Sequence, residues 1–419
     1  MDLYRIQRFP TPIFSAIFII VSVFGLFSIF NGAHAATESI AIIRENCANK
    51  SIPTANCYTA LSLWEAAENR NLVTADQIAI AQIEGAWTSP DTTPVTINGW
   101  TTDATHYVKI YTTSEARHTG KWDNIKYRLE SGNWGAHIID NQQNYTRIEG
   151  LQILHSGGGD SSSGIYSVSY AGVVVKDAIV KKTSTSIGEG IKIVGTSAGS
   201  SGVVNSVAYG GWNFGINIAT FGGYGYAYNT TSYGNNYGYN GFYVQNLKNC
   251  IGASNSIADF ARDVVASYSV FTTACASSDA TANIFTDTGS RINQTFSFVN
   301  PAAGDFHLSS SDTAAKDFGT NLSADSIYAF STDVDGQTRS GTWDIGADEY
   351  QQGGATPPPP PVITDTSAPS ISAGAPTSTL PSTTTQTTLS VTTDENATCK
   401  YSATANTSYA ALTNTFTGA

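Results

Sequence analysis

The chain has 419 residues, only 13% of them charged, with 21 Lys and Arg against 33 Asp and Glu. The formal charge of −12 and a pI near 4.8 exclude a phosphate backbone as partner, because such affinity needs clustered Lys and Arg. The 38 Gly and 21 Tyr beside a single Met favour turns and strands over helical bundles.

Residues 1–35 read as a secretory signal peptide. Arg5 and Arg8 precede an apolar run from Ile13 to Phe30, and Ala33-His34-Ala35 places small residues where a signal peptidase cuts. An uncleaved anchor is the competing reading, since the run lies at the lower edge of what spans a bilayer. Without Asp2, Arg5 and Arg8 the remainder keeps 19 basic and 32 acidic residues. No later segment is apolar enough to span a membrane, so a secreted or cell-surface protein without stable membrane insertion after cleavage is expected. Export permits disulfides, and Cys47 with Cys57, and Cys250 with Cys275, are the candidate pairs, leaving Cys399 over.

The strand pattern begins after a short helix. Ser62-Leu-Trp-Glu is a capping-box sequence, so a helix over 63–70 with Trp64 is expected to form an N-terminal lid. Strand-like segments follow at Val95, Tyr107, Lys126, Ala136 and Thr146. Then the sequence repeats. Gly164-Ile-Tyr-Ser-Val, Gly190-Ile-Lys-Ile-Val, Gly215-Ile-Asn-Ile-Ala and Gly241-Phe-Tyr-Val-Gln start at intervals of 26, 25 and 26. Period-2 alternation sends Ile165, Ile191, Ile216 and Phe242 to one side, and Tyr166, Lys192, Asn217 and Tyr243 to the other. A second strand in each repeat starts near Asp177, Asn205, Asn229 and Asn249, a column of turn residues whose register the sequence leaves open.

The interval is too short for a βαβ unit and for a propeller blade. The remaining solution is a coil that returns to its start one strand spacing higher, a parallel β-helix. Residues one period apart then stack about 4.8 Å from each other, which puts Cys250 and Cys275 on neighbouring rungs.

Together with Gly304-Asp-Phe-His-Leu, Asp333-Val-Asp-Gly-Gln-Thr-Arg339 and Asp344-Ile-Gly-Ala-Asp-Glu-Tyr350, this repeat resembles the secreted right-handed parallel β-helix proteins of the pectin-lyase-like superfamily. The resemblance spans roughly residues 40–350 and implies a single-stranded right-handed β-helix over 36–350, whose C-terminal string closes the last coil. It is specific for architecture; members include lyases, hydrolases, epimerases, adhesins and proteins of no established function.

Residues 351–368 hold five consecutive prolines, Pro357 to Pro361, an extended spacer. From 369 to 419 the Thr- and Ser-rich strands look like the first half of an immunoglobulin- or fibronectin-like β-sandwich, too short to be complete. The missing half would explain the odd Cys399.

The carboxylates of the regular coils, Asp160, Asp177, Glu189, Asp259, Asp263 and Asp279, are scattered, which argues against a hydrolase dyad. Lys192 stands on the outward row Tyr166, Lys192, Asn217 and Tyr243, the candidate carbohydrate-binding residues. It could serve as the base of a lyase-type β-elimination, or merely blunt edge pairing. His137, His155 and His307 read as structural. The aromatic stretch from Tyr209 to Tyr243 is either a sugar platform or a packing ladder. No cofactor is implied. Asp333-Val-Asp-Gly with Asp344 resembles part of a Ca²⁺ loop but lacks its closing Glu, and a turn in the cap is the better reading. The expected protein is a monomer that binds, and in the lyase reading cleaves, polysaccharide or cell-surface glycan. The alternative is a non-catalytic surface or adhesion protein with the β-helix as a stalk.

Overall fold

A computed structural model describes residues 36–159, 162–184, 187–196, 199–241, 243–261, 270–284 and 289–351, with shorter stretches at 371–376, 381–393, 400–402, 412 and 414–415. Residues 1–35, read from the sequence as a signal peptide, most of the proline-rich segment and Cys399 lie outside the described residues.

Residues 95–277 form a parallel β-helix with three faces. The first face carries Val95–Ile97, His137–Asn141, Ser162–Val168, Gly188–Thr196, the start of Phe214–Tyr228, Tyr237–Asn240 and Ala258–Phe260. Each strand pairs in parallel with the equivalent strand of the next coil. The second face runs Val108–Thr112, Thr146–Glu149, Val174–Lys176, Ser201–Val204, the end of Phe214–Tyr228, Tyr243–Lys248 and Val270–Thr273. The third runs Arg128–Ser131, Gln152–His155, Ile179–Lys182, Val207–Tyr209, Thr231–Tyr233, Ile251–Ala253 and Ala276–Ser277. The coils wind right-handed. The interior is a column of apolar side chains: Val95, Ile139, Ile165, Ile191, Ile216, Tyr239 and Phe260 share one register, all buried.

Two columns of special backbone set this winding. Gly164, Gly190 and Gly215 stack as expected, but the fourth member is Gly238 and not Gly241. Ile216 pairs with Tyr239, so Tyr239 takes the inward place expected for Phe242, which lies outside the described residues. A Cβ at Gly190 would stand 2.4 Å from the carbonyl oxygen of Gly215, and one at Gly238 2.4 Å from that of Asp259. The rungs approach too closely there for any side chain. The second column is Gly150, Asp177, Asn205, Asn229, Asn249 and Ala274, all with positive φ and in register from coil to coil. Asn and Asp tolerate this conformation better than most residues. Asn205 Nδ2 donates to Asp177 Oδ1 (3.1 Å) and Asn249 Nδ2 to Asn229 Oδ1 (2.9 Å), joining neighbouring coils by side chains as well as backbone.

At the N-terminal end, Thr37–Ile43 and Gln77–Ile83 extend the second face, and Cys57–Tyr58 pairs outside them. The helix spans Leu61–Glu68, two residues earlier than expected, because the box at Ser62 is not used. Its first free N–H, on Leu61, is instead satisfied by Asp91 Oδ2 (2.9 Å), thirty residues away. Leu61 and Trp64 are buried, and Trp64 stacks on Trp100 at 5.4 Å, in keeping with a lid. Cys47 and Cys57 are disulfide-bonded.

Cys250 and Cys275 do occupy neighbouring rungs, flanking the pair Ile251–Ala276, but they form no disulfide. Both thiols are buried in the apolar core, and Cys250 Sγ donates to the Ala227 carbonyl (3.1 Å).

The C-terminal string does not close the last coil. Residues 296–350 run back along the outside of the helix as a strap. Phe306, Val334 and Ala347 cover Ile179, Val207 and Tyr209 on the outer side of the third face, and Leu308, Ala315 and Ile345 cover Ile251 and Ala276. Leu322, Phe330 and Trp343 continue onto Val204, Tyr226 and Tyr228 of the second face. The Asn column anchors this strap: Asn229 Nδ2 donates to the carbonyls of Asp344 and Gly346 (both 3.1 Å), and Asn205 Nδ2 to that of Thr332 (2.7 Å).

Residues 361–419 form a separate unit. In it Ile371–Ala375 pairs antiparallel with Ser390–Thr393, and Lys400–Tyr401 with Asn414–Thr415.

Candidate functional site

The strap's contacts run to the third and second faces, and a cleft of about 350 Å³ opens on the first. It is lined by His137, Ser162, Tyr166, Ile187, Gly188, Glu189, Lys192, Asn213 and Phe214. Two outward columns build it. One is Asp140, Tyr166, Lys192, Asn217 and Asn240; the other is His137, Ser163, Glu189, Phe214 and Tyr237. Glu189 and Lys192 are three residues apart, so strict alternation would put them on opposite sides. Gly190 and Ile191 between them are both buried, which breaks the in-out alternation while the pairing register stays constant. Both side chains therefore reach the surface, where Lys192 Nζ lies 2.9 Å from Glu189 Oε2.

Three of the four row residues are thus brought together. Lys192 Nζ sits 5.6 Å from the Tyr166 ring centroid, and Asn217 Nδ2 donates to Glu189 Oε1 at 2.9 Å. Asn217 points outward but is only 4% exposed, held down by that bond. Tyr243 does not belong to the row. Its backbone pairs with Thr220, three residues past Asn217, and Asn240 occupies the place expected for it. The cause is a short third interval: the rung after Gly215 starts at Gly238, 23 residues on, so the Gly241 motif falls out of register.

The sequence alone reads His137 as structural, Glu189 as a scattered carboxylate, and Phe214 and Tyr237 as part of the aromatic stretch, without placing them beside the row. His137 stacks on Tyr166 with centroids 3.9 Å apart, and Phe214 on Tyr237 at 5.2 Å. Burial lowers the His137 pKa, favouring the neutral ring. The signal that could have aligned Glu189, Phe214 and Tyr237 is the residue before each stacked glycine: Ser163, Glu189, Phe214, Tyr237. The aromatic stretch divides. Tyr226, Tyr228, Tyr239 and Trp212 are buried packing residues, with Tyr239 stacked on Phe260 at 4.8 Å, whereas Phe214 and Tyr237 are half-buried on the outer face.

Behind the cleft floor lies Lys182. It is 2% exposed, and its Nζ has no hydrogen-bond partner among the described residues. It packs under Gly188, whose missing Cβ would fall 2.7 Å from Nζ, and over the Trp212 ring at 4.7 Å. Burial pushes the Lys182 pKa down to about 8.

Among the described residues, carboxylates do not pair on the first face. Glu189 accepts from Lys192 and Asn217, and Asp140 Oδ2 from Gln142 Nε2 (2.7 Å), two rungs away from Glu189. Lys192 likewise stands as a donor to Glu189. The cleft presents aromatic rings, the Lys192 ammonium and hydrogen-bonding groups on one strip of sheet.

Among the described residues one group could hold a metal ion: ligand atoms of His307, Asp335 and Asp348 lie within 4.8 Å of one another, in the strap. They border a second cleft of about 310 Å³ with Lys121, Glu349 and Tyr350. His307 already uses both ring nitrogens, Nδ1 toward Asp305 (2.5 Å) and Nε2 toward Asp335 (2.9 Å). Although burial opposes the charged ring, these two carboxylates raise its pKa to about 11, so it stands as an imidazolium clamped between them. Asp333 accepts from the N–H groups of Asp335 and Gln337 and thus forms a turn.

No protein-family model and no curated protein sequence matches the chain. Among solved structures, the crystal structure of pectate lyase Pel9A aligns with 76% of this chain and 98% of that chain, at 12% identity and a TM-score of 0.31. That level of similarity says nothing of activity, and the β-helix stands on its own strand registers. No helix among the described residues is long and apolar enough to cross a membrane.

Proposed function

We propose that this protein binds polysaccharide along the first face of its β-helix, with the cleft around Tyr166, Lys192 and Glu189 as the central contact. The observation that supports this most is the pairing of ring stacks with a charged and amide network on one strip of sheet. The His137–Tyr166 and Phe214–Tyr237 stacks stand on either side of the Lys192–Glu189–Asn217 network. Ring faces take up the apolar faces of sugars, and the polar groups between them hold hydroxyls. Successive rungs repeat this offer every 4.8 Å or so along the axis, which suits a linear chain.

The test is binding of the full chain to a panel of soluble polysaccharides, followed by two variants. Tyr166→Ala is expected to weaken binding about tenfold, the size of a lost ring contact, and more than Lys192→Met does. Cleavage by β-elimination with Lys192 as base predicts a different split, in which Lys192→Met abolishes the rise in absorbance from new unsaturated ends and leaves affinity nearly intact. If no polysaccharide binds, the β-helix is better understood as a stalk.

A further inference from the structure

Six of the seven tryptophans are buried or half-buried; Trp134 is 80% exposed. It stands on the corner between Arg128–Ser131 of the third face and His137–Asn141 of the first, three residues before His137. An indole in water costs nothing to explain on a loose loop, but this corner is not loose. Gly135 N–H donates to the Gly158 carbonyl of the next coil (2.9 Å), Asn133 N–H to Ser131 Oγ (3.1 Å), and Ala136 N–H to the Asn133 carbonyl (3.4 Å). The two stacked corners touch through backbone. A Cβ on Gly157 would lie 2.3 Å from the Gly132 carbonyl oxygen, and one on Gly159 2.4 Å from the Gly135 nitrogen. Gly135 itself has φ +69°, a conformation that turns the chain sharply behind the indole. The sequence thus spends glycines at 132, 135, 157 and 159 on a rigid mount for one large exposed ring.

The same edge leads into the cleft. His137, three residues on, stacks against Tyr166, and Ile187, at the corresponding corner two coils later, is 52% exposed and lines the cleft. Three residues of chain span at most about 10 Å, so the indole stands beside the cleft mouth.

We propose that Trp134 is an outlying sugar subsite, which stacks on the apolar face of a pyranose ring of a polysaccharide already seated at Tyr166 and Lys192. This rests on the binding function proposed above. The chemistry fits an uncharged ring contact: the corner residues 132–136 bear no charge, and a fixed indole loses little conformational freedom on stacking. A polymer long enough to reach both places gains from the second contact, whereas a mono- or disaccharide does not.

The experiment titrates the full chain with xylan, β-glucan, alginate and polygalacturonate, reading tryptophan emission and acrylamide quenching. The polysaccharide that binds should shift emission to the blue and shield one tryptophan. Trp134→Phe should lose the fluorescence change and keep most of the affinity; Trp134→Ala should raise Kd about tenfold for the polymer and leave binding of its disaccharide unchanged. If Trp134→Ala binds the polymer as the parent does while Tyr166→Ala is weakened, the subsite is refuted and the cleft stands. If none of the four binds the parent, both fail together. Loss of self-association in Trp134→Ala, with polymer affinity intact, would also refute the subsite and assign the indole to a protein contact.

Discussion

Lys182 illustrates how one buried residue shapes the pH response of the molecule. Its ammonium has lost water and gained no hydrogen-bond partner among the described residues. Its folded pKa of about 8 lies below the ordinary lysine value of 10.5. Between those two values the unfolded chain holds a proton that the folded chain has released, so the contribution of Lys182 to stability rises with pH across that window and is lowest below pH 8. The penalty at neutral pH is on the order of 3 kcal/mol. Lys182→Met should therefore raise the midpoint of urea unfolding at pH 7, and its advantage over the parent should shrink between pH 8 and 10.5. Unchanged unfolding curves over that range would show that the ammonium is solvated. The substitution also separates stability from binding, since Lys182 lies behind the cleft floor rather than in its lining.

At the scale of the element, the Asn column and the Gly column do different work. Asn229 holds a left-handed turn (φ +49°) and bridges to the strap, so Asn229→Gly should cost about 2 kcal/mol from lost hydrogen bonds, and Asn229→Ala about 1 kcal/mol more from backbone strain. Gly190→Ala should be worse than either, because its Cβ meets a backbone carbonyl that cannot move without parting two rungs. Urea titrations of the three variants check the order. These columns also explain what could be read from the sequence. The 25-residue period, the inward isoleucines and the side-chain amide column were legible because each repeats in nearly identical surroundings. Tyr243 was misplaced because a repeat in which Gly238, rather than Gly241, meets its neighbour differs only in pairing register, which local pattern does not encode. Glu189 reads as a scattered carboxylate and is not joined to Lys192, since alternation alone turns it inward. Cys250 and Cys275 have the right spacing for a bridge, yet they stack as thiols in the core. The course of the strap was illegible, because its contacts join residues more than a hundred positions apart, such as Arg339 and Asn205.

For the whole molecule the strap is the decisive element, and it concentrates buried charge. Arg339 is 4% exposed and donates to Glu349, Asn205 and the carbonyls of Gly346 and Ala347. Burial raises Asp344 to about 7 and Asp348 to about 6. A carboxyl whose folded pKa is raised contributes stability below its unfolded value near 3.8 and loses it as pH climbs to the folded value; the His307 imidazolium likewise loses its contribution between about 6.5 and 11. All three changes point one way between pH 5 and 8. Limited proteolysis of residues 296–350 should therefore be slower at pH 5 than at pH 8, compared with a control substrate to correct for the protease. Faster cleavage at pH 5 would mean that these groups do not secure the strap.

The pairing of the strap with early coils also orders events in time. Gly304 accepts a hydrogen bond from Trp122, and Lys121 bridges to Asp305, so a contact near the start of the helix waits for a segment about 180 residues later in the chain. A chain emerging N-terminus first winds its coils with Ile179, Val207 and Ile251 still uncovered, and such long loops close slowly. Folding should accordingly end in one late docking step, and any delay between coil formation and docking leaves a broad sticky flank exposed to other copies of the same chain.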